Sequence, residues 1–183
     1  LIYFSLELNA DGSIDETHQW LTRGQALVEE GHRHGVRVLP CVTMFDDEFE
    51  QETNDPVDQL SCRPDFGVLC YPVIAMGQPY CHQGSVRNLL GASPSKGLMA
   101  RNNTAMRVTN RTPPIFLVHS ADDRAVPLRN GTDFAVACAA KGVPVTCHFY
   151  AQGGHGYGLG RTGDSKSWPS RLEEWLRHNE WME

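Results

Sequence analysis

The run Ile115-Phe116-Leu117-Val118-His119 constrains this chain more than any other stretch. It is entered from Thr112-Pro113-Pro114, where two prolines disfavour a helix start and hold the backbone extended. It ends in the polar turn Ser120-Ala121-Asp122-Asp123, before Val126-Pro127 leads toward a helix. A short apolar run bounded in this way is expected to be a strand buried on both faces, as in a parallel sheet. Carboxylates at its C-terminal end then fall on the edge where open α/β sheets gather ligands and chemistry.

The rest of the chain punctuates itself in the same style. Leu1–Leu8 is apolar and aromatic and ends in the turn signal Asn9-Ala10-Asp11-Gly12. From His18 to His34 the apolar residues fall near one helical face, and Gly35 stands where a left-handed helix cap is wanted. Val36–Val42 reads as the next strand, with Pro40 marking an edge or a strand end. Residues 1–43 therefore read as a βαβ segment with a right-handed crossover. Phe45–Leu60 is acidic and solvated, broken by Asn54-Asp55-Pro56, and a junction is placed there. It lacks the glycine-centred alternation of a Ca²⁺ loop. Residues 44–183 form the second part. Phe66–Pro72 is a strand, and Val73–Pro114 a long connection with one helical patch near Ser95–Asn102. Leu128–Lys141 is an amphipathic helix closed by Gly142, and Val143–Tyr150 a third strand. Gly153-Gly154-His155-Gly156 is the loop after it, and Trp168–His178 a terminal helix. The expected fold class is α/β, three layers around a mostly parallel sheet of about five strands.

Several function classes drop out. With 16 basic against 22 acidic side chains, the chain has no electrostatic footprint for nucleic acid. Nothing approaches the roughly 18 consecutive apolar residues of a membrane span, so a soluble protein with no membrane partner is expected. No leader is read at Leu1–Leu8, and the compartment stays open. The six cysteines (41, 62, 70, 81, 138 and 147) lack CxxC spacing. They are expected to be small buried hydrophobes rather than zinc ligands, and no metal or cofactor is expected. Asn102, Asn110 and Asn130 each begin an N-x-Thr sequon, which matters only in a secreted protein.

Asp123 follows one strand and His155 the next, with a helix between, so both loops leave the same edge of a parallel sheet. An imidazole there needs a carboxylate on Nδ1 to fix its tautomer, which leaves Nε2 as a base. The order acid, then base, suits a Ser–Asp–His hydrolase. Asp122 reads as a turn carboxylate capping Arg124 or nearby N–H groups. His119, inside the strand, reads as a packed histidine or one supporting the site from behind rather than as a base.

From about Asp55 onward, over roughly 130 residues, the chain resembles the C-terminal half of α/β-hydrolase esterases, in particular the lipase/esterase group of acetylesterases and acetyl xylan esterases. The resemblance is carried by Asp55-Pro56-Val57-Asp58, Ser61-Cys62-Arg63-Pro64-Asp65-Phe66, Tyr71-Pro72-Val73-Ile74, Arg87-Asn88-Leu89-Leu90-Gly91, Thr112-Pro113-Pro114, His119-Ser120-Ala121-Asp122-Asp123, Val126-Pro127 and Gly153-Gly154-His155-Gly156. It implies Asp123 as the triad acid, with Asp122 as the alternative, and His155 as the base. It also implies a small acyl ester or an acylated carbohydrate as substrate.

One part of that pattern is missing. No G-x-S-x-G pentapeptide occurs in the 183 residues. Asp11-Gly12-Ser13-Ile14-Asp15 lacks the second glycine and reads as a turn, and Gly91-Ala92-Ser93-Pro94-Ser95 carries proline. The HGG-type oxyanion loop is absent too. Cys41 ends a strand where a nucleophile could sit, but has no flanking glycine. Acyl transfer without a serine or oxyanion donors loses its covalent step and its largest electrostatic contribution. The chain by itself is expected to be inactive. The alternatives are a non-catalytic α/β scaffold, a carbohydrate-binding remnant or a glycosidase-like fragment.

The early residues resemble another family. Tyr3-Phe4-Ser5-Leu6-Glu7-Leu8-Asn9-Ala10-Asp11-Gly12-Ser13-Ile14 and Gly31-His32-Arg33-His34-Gly35-Val36-Arg37-Val38-Leu39-Pro40 are similar to the β-loop-α-β opening of chitinase-like family 18 glycoside hydrolases, without the DxxDxDxE strand. Both resemblances together imply a composite of two partial enzymes joined near Thr43–Glu48. Uncovered sheet edges are then expected to favour oligomers.

Overall fold

The computed structural model describes residues 64–159 and 163–182, together with the backbone of residues 7–8 and 14–15. The helix read over His18–His34, the strand Val36–Val42 with Cys41, and the junction near Thr43–Glu48 lie outside the described residues. Two short early pieces are described. Strand β1 (Glu7–Leu8) pairs antiparallel with β2 (Ile14–Asp15), Glu7 opposite Asp15 and Leu8 opposite Ile14. Ile14 and Asp15, read above as part of a turn, are thus a strand.

The main sheet is parallel, as the proline-bounded run requires. Strands β3 (Gly67–Cys70), β4 (Ile115–Ser120) and β5 (Val145–Tyr150) lie in that order. Gly67 stands opposite Ile115, and Ile115 opposite Val145. All six residues of the central β4 are buried. The reason is the period of two with both faces covered. Ile115 and Leu117 pack against Ile74, Val108, Phe134, Cys138 and Val143 on one side. Phe116 and Val118 pack with Val68, Tyr157, Trp168 and Leu172 on the other. Phe116, Leu117 and Val118 have no exposed surface. Each such side chain contributes roughly 1.5–3 kcal/mol of hydrophobic stabilisation.

Four helices complete the described part. The connection from Val73 to Pro114 holds two of them, α1 (Gln83–Leu90) and α2 (Lys96–Arg101), and a 3₁₀ turn at Thr104–Arg107. Sequence reading found only the second. Ser95 caps α2 by accepting from Leu98 N at 3.1 Å, the expected cap residue in the expected place. His82 caps α1 through Nδ1, accepting from Ser85 N at 3.2 Å, and histidine is not a residue whose presence announces a helix. α3 (Arg129–Ala140) covers one face of the sheet and stops at Gly142, whose φ of +69° favours glycine. A 3₁₀ turn (Asp164–Ser167) then leads into α4 (Trp168–His178), with proline in its first turn, which covers the other face. The result is three layers. Among the described residues no helix is long and apolar enough to cross a membrane.

Cys70, Cys81, Cys138 and Cys147 are free thiols. Burial pushes Cys70 up to about 12 and Cys138 up to about 11. Thiols held this firmly in the protonated form behave as small hydrophobes.

Candidate active site

Because β3, β4 and β5 run parallel, the residues that follow each of them gather at one edge: Tyr71, the turn 121–127, and the loop 151–158. The turn after β4 folds around Asp123. Ala125 N and Val126 N donate to its Oδ1 at 2.9 and 2.8 Å. Its Oδ2 accepts from His155 Nδ1 at 2.7 Å. The carboxylate is wholly enclosed, whereas the His155 side chain is 37% exposed. The strand order thus brings together two residues 32 apart in sequence. With Nδ1 committed to the carboxylate, His155 presents a basic Nε2.

The approach of His155 to Asp123 is fixed by the backbone before it. Gly153 N and Gly154 N donate to Asp122 Oδ1 at 3.0 and 2.7 Å. Ala151 N and Gln152 N donate to the Asp164 carboxylate, each at 3.1 Å. Four consecutive N–H groups are therefore held by two carboxylates. Asp122 caps N–H groups, as read from the sequence, but those of the next strand's loop and not of its own turn. It does not touch His155, which singles out Asp123 as the imidazole's partner. Asp164 was missed, and nothing in the sequence marks it, since its partners lie 12 and 13 residues earlier. Gly154 and Gly156 take φ values of +64° and +72° on either side of His155, the left-handed region that glycine adopts without strain.

Two further residues complete the edge. Tyr71 ends β3 with a φ of +40°, rare for a residue with a side chain. Its N–H donates to Val118 O at 2.7 Å. Its ring meets His155 edge-on, with centroids 4.7 Å apart, and meets Tyr157 at the same distance. Burial, followed by the neighbouring Cys70, raises the Tyr71 pKa and keeps the phenol neutral. Its motif was legible, but its backbone angle was not. His119 points from β4 to the α3 side, fully buried. Its Nε2 lies 2.8 Å from Val126 O and 3.2 Å from Asp123 Oδ2.

Asn130, read as the start of a sequon, is a core residue with no exposed surface. Its Oδ1 accepts from Ile74 N and Ala75 N, and its Nδ2 donates to Tyr80 O and Pro127 O. A side chain so enclosed cannot meet a glycosylating enzyme in the folded state. Gly91-Ala92-Ser93 lies just after α1, and Cys41 falls outside the described residues. Among the described residues no group of three or more His, Cys, Asp or Glu is arranged to hold a metal ion.

Comparison with known proteins places this geometry in context. Residues 86–180 match the family model described as the prolyl oligopeptidase family. The chain is 34% identical over 133 residues to endo-1,4-beta-xylanase B of Butyrivibrio fibrisolvens, covering 73% of this chain and 21% of that protein. It is 35% identical over 102 residues to the acetylxylan esterase of Xylanibacter ruminicola, covering 54% of this chain and 21% of that one. Its structure superposes on the acetyl ester-xyloside bifunctional hydrolase from Caldicellulosiruptor lactoaceticus with a TM-score of 0.69 and 38% identity, over 73% of this chain and 49% of that one. The chain thus spans about a fifth of the length of these curated relatives and about half of that structure. The structural neighbours have the α/β-hydrolase fold. The resemblance of the first 43 residues to family 18 glycoside hydrolases finds no support in these comparisons.

Proposed function

Because the chain belongs to the prolyl oligopeptidase family, we propose that it carries the acid and base of a serine-type ester hydrolase acting on short-acyl esters of carbohydrate. Asp123 is the acid and His155 the base. The hydrogen bond from His155 Nδ1 to Asp123 Oδ2, 2.7 Å long, carries this reading. Asp123 holds two backbone N–H groups on its Oδ1. It orients the imidazole and stabilises the imidazolium formed when Nε2 takes a hydroxyl proton. His155 then returns that proton to the departing alcohol. An acetylated xylose-containing saccharide is the proposed substrate, since two of the similar proteins are named for acetyl ester or acetylxylan hydrolysis.

The nucleophile is proposed to come from outside these 183 residues. The 183 residues hold no G-x-S-x-G elbow, so the chain alone is expected to form no acyl-enzyme. That same absence favours a second reading, a non-catalytic scaffold that binds carbohydrate at the sheet edge. One exchange separates the two. Residues 64–183 replace the matching segment of the Caldicellulosiruptor hydrolase, and p-nitrophenyl acetate turnover is measured beside fluorophosphonate labelling. Turnover that falls by about 10⁴-fold in kcat on Asp123→Asn supports the acid–base assignment. A folded chimera whose turnover ignores Asp123→Asn and His155→Ala refutes it, and turnover by the unaltered chain at ordinary esterase rates refutes the external nucleophile.

A further inference from the structure

The mechanism above leaves one buried imidazole without a role. His119 occupies the β4 position that, by the two-residue alternation of Ile115 and Leu117, belongs to the apolar layer under α3. A leucine would extend that layer. Instead the site holds a polar ring whose Nδ1 is buried with no hydrogen-bond partner, an arrangement that costs stability. Room for it comes from Gly131 of α3. A Cβ added there would stand 3.0 Å from His119 Nδ1 and 3.1 Å from Leu117 Cδ2. Both the ring and the space beside it therefore oppose simple core packing.

The other nitrogen explains the arrangement. A carbonyl can only accept, so the 2.8 Å contact with Val126 O requires a proton on His119 Nε2. The same nitrogen stands 3.2 Å from Asp123 Oδ2, close enough for its N–H dipole to act on that oxygen. The oxygen that orients His155 thus has an imidazole nitrogen on either side, His155 Nδ1 in hydrogen bond and His119 Nε2 close by, while Oδ1 has the two backbone N–H groups. We propose that His119 is a positioning residue that tempers Asp123: by drawing on Oδ2 it limits how strongly the carboxylate stabilises protonated His155. This rests on the assignment of Asp123 and His155 as acid and base. Burial lowers the His119 pKa and keeps the ring neutral. It therefore acts through one N–H dipole and not through a full charge. Among the described residues, Asp123, the neutral Tyr71 and His119 are titratable groups close to His155.

The test follows both imidazoles in the intact chain by long-range ¹H–¹⁵N NMR across a pH titration. His119 is expected to stay neutral and protonated on Nε2, and His155 to show a low-field Nδ1 proton that disappears in Asp123→Ala. In His119→Leu the His155 pKa is expected to rise by roughly half a unit to one unit, the scale of one ordinary hydrogen bond, and its Nδ1 proton to move further downfield. His119→Gln, whose amide nitrogen can reach where Nε2 stood, is expected to restore the original values. A folded His119→Leu chain with an unchanged His155 pKa and Nδ1 proton overturns the proposal. So does a wild-type His119 protonated on Nδ1, a result that stands even where the leucine variant fails to fold. Failure of the underlying acid–base assignment looks different: wild-type His155 then shows no Asp123-dependent proton at all.

Discussion

Replacing Asn130 by alanine tests whether one buried amide holds the site's supporting loops together. Its Oδ1 receives Ile74 N at 3.1 Å and Ala75 N at 2.9 Å, and both of those residues are buried. Its Nδ2 serves Tyr80 O and Pro127 O. The two carbonyls lose little. Pro127 O still accepts Asn130 N at 2.9 Å, and Tyr80, half-buried, can reach water. The two N–H groups have no substitute. Each unsatisfied buried donor costs about 1–3 kcal/mol, so the pair implies about 2–6 kcal/mol. That is a large part of the roughly 5–15 kcal/mol of a whole domain. The assay is urea unfolding followed by tryptophan fluorescence, for which Trp168, at the start of α4, is a reporter buried against the sheet. With m near roughly 2 kcal/mol per M, the midpoint is expected to fall by about 1–3 M. Asn130→Asp adds a sharper signature. It keeps the acceptor but turns a carboxylate oxygen toward two carbonyls, which raises the aspartate's folded-state pKa. The folded chain then binds the proton more tightly, so this variant is stable at low pH and loses stability as pH rises above about 4. A loss below about 1 kcal/mol in Asn130→Ala would show that solvent reaches Ile74 N and Ala75 N, and would refute the reasoning.

Two other outcomes follow from the packing. Gly153→Ala drives a Cβ into the hydroxyl of the fully buried Ser120, with an expected cost of about 1–3 kcal/mol. Ser120→Ala in the same chain should recover the larger share, because that hydroxyl has no hydrogen-bond partner; additive losses in a double-mutant cycle would contradict the collision. The buried thiols predict alkaline sensitivity. Folding raises Cys70 from 9.0 to about 12 and Cys138 from 9.0 to about 11, so above pH 9 the unfolded chain sheds protons that the folded chain keeps. Stability should be indifferent to these thiols below pH 9 and fall by up to roughly 1.4 kcal/mol per pH unit per thiol above it. Cys138→Ala, measured at pH 8 and pH 10.5, should show a smaller decline than the parent, and an equal decline would count against the shift.

Legibility of the fold followed the range of the interactions. β4, α3, β5 and α4 could be read because each is bounded by its own punctuation: Pro113-Pro114 before β4, Gly142 after α3, Pro169 in the first turn of α4. The Asp123–His155 pair could be read because parallel strands place successive C-terminal loops on one edge, whatever the side-chain detail. α1 escaped because Val86 is its one buried residue and its cap is a histidine. Asn130 was read as a surface signal because its partners lie 50 to 56 residues away, except Pro127. Asp164 and the φ of Tyr71 escaped for the same reason: each is imposed by contacts that no local pattern encodes.

The geometry also bears on how the proposed acid and base are held. Among the described residues, the contacts that orient the Asp123 carboxylate come from β4, its turn and His155 itself. The groups that hold the loop before His155 are Asp122, from that same turn, and Asp164, shortly after the loop. Tyr71, at the end of the adjacent β3, supplies the ring against which the imidazole rests. Orientation of the base is therefore fixed by a stretch running from β3 to the start of α4, and nothing in it requires a serine to be in place first. The exposures agree with that division: the acid is sealed off, while the base is more than a third open to an incoming group. Removing the Asp122 clip should then loosen His155 without unfolding the sheet, whereas removing Asp123 should release the ring outright.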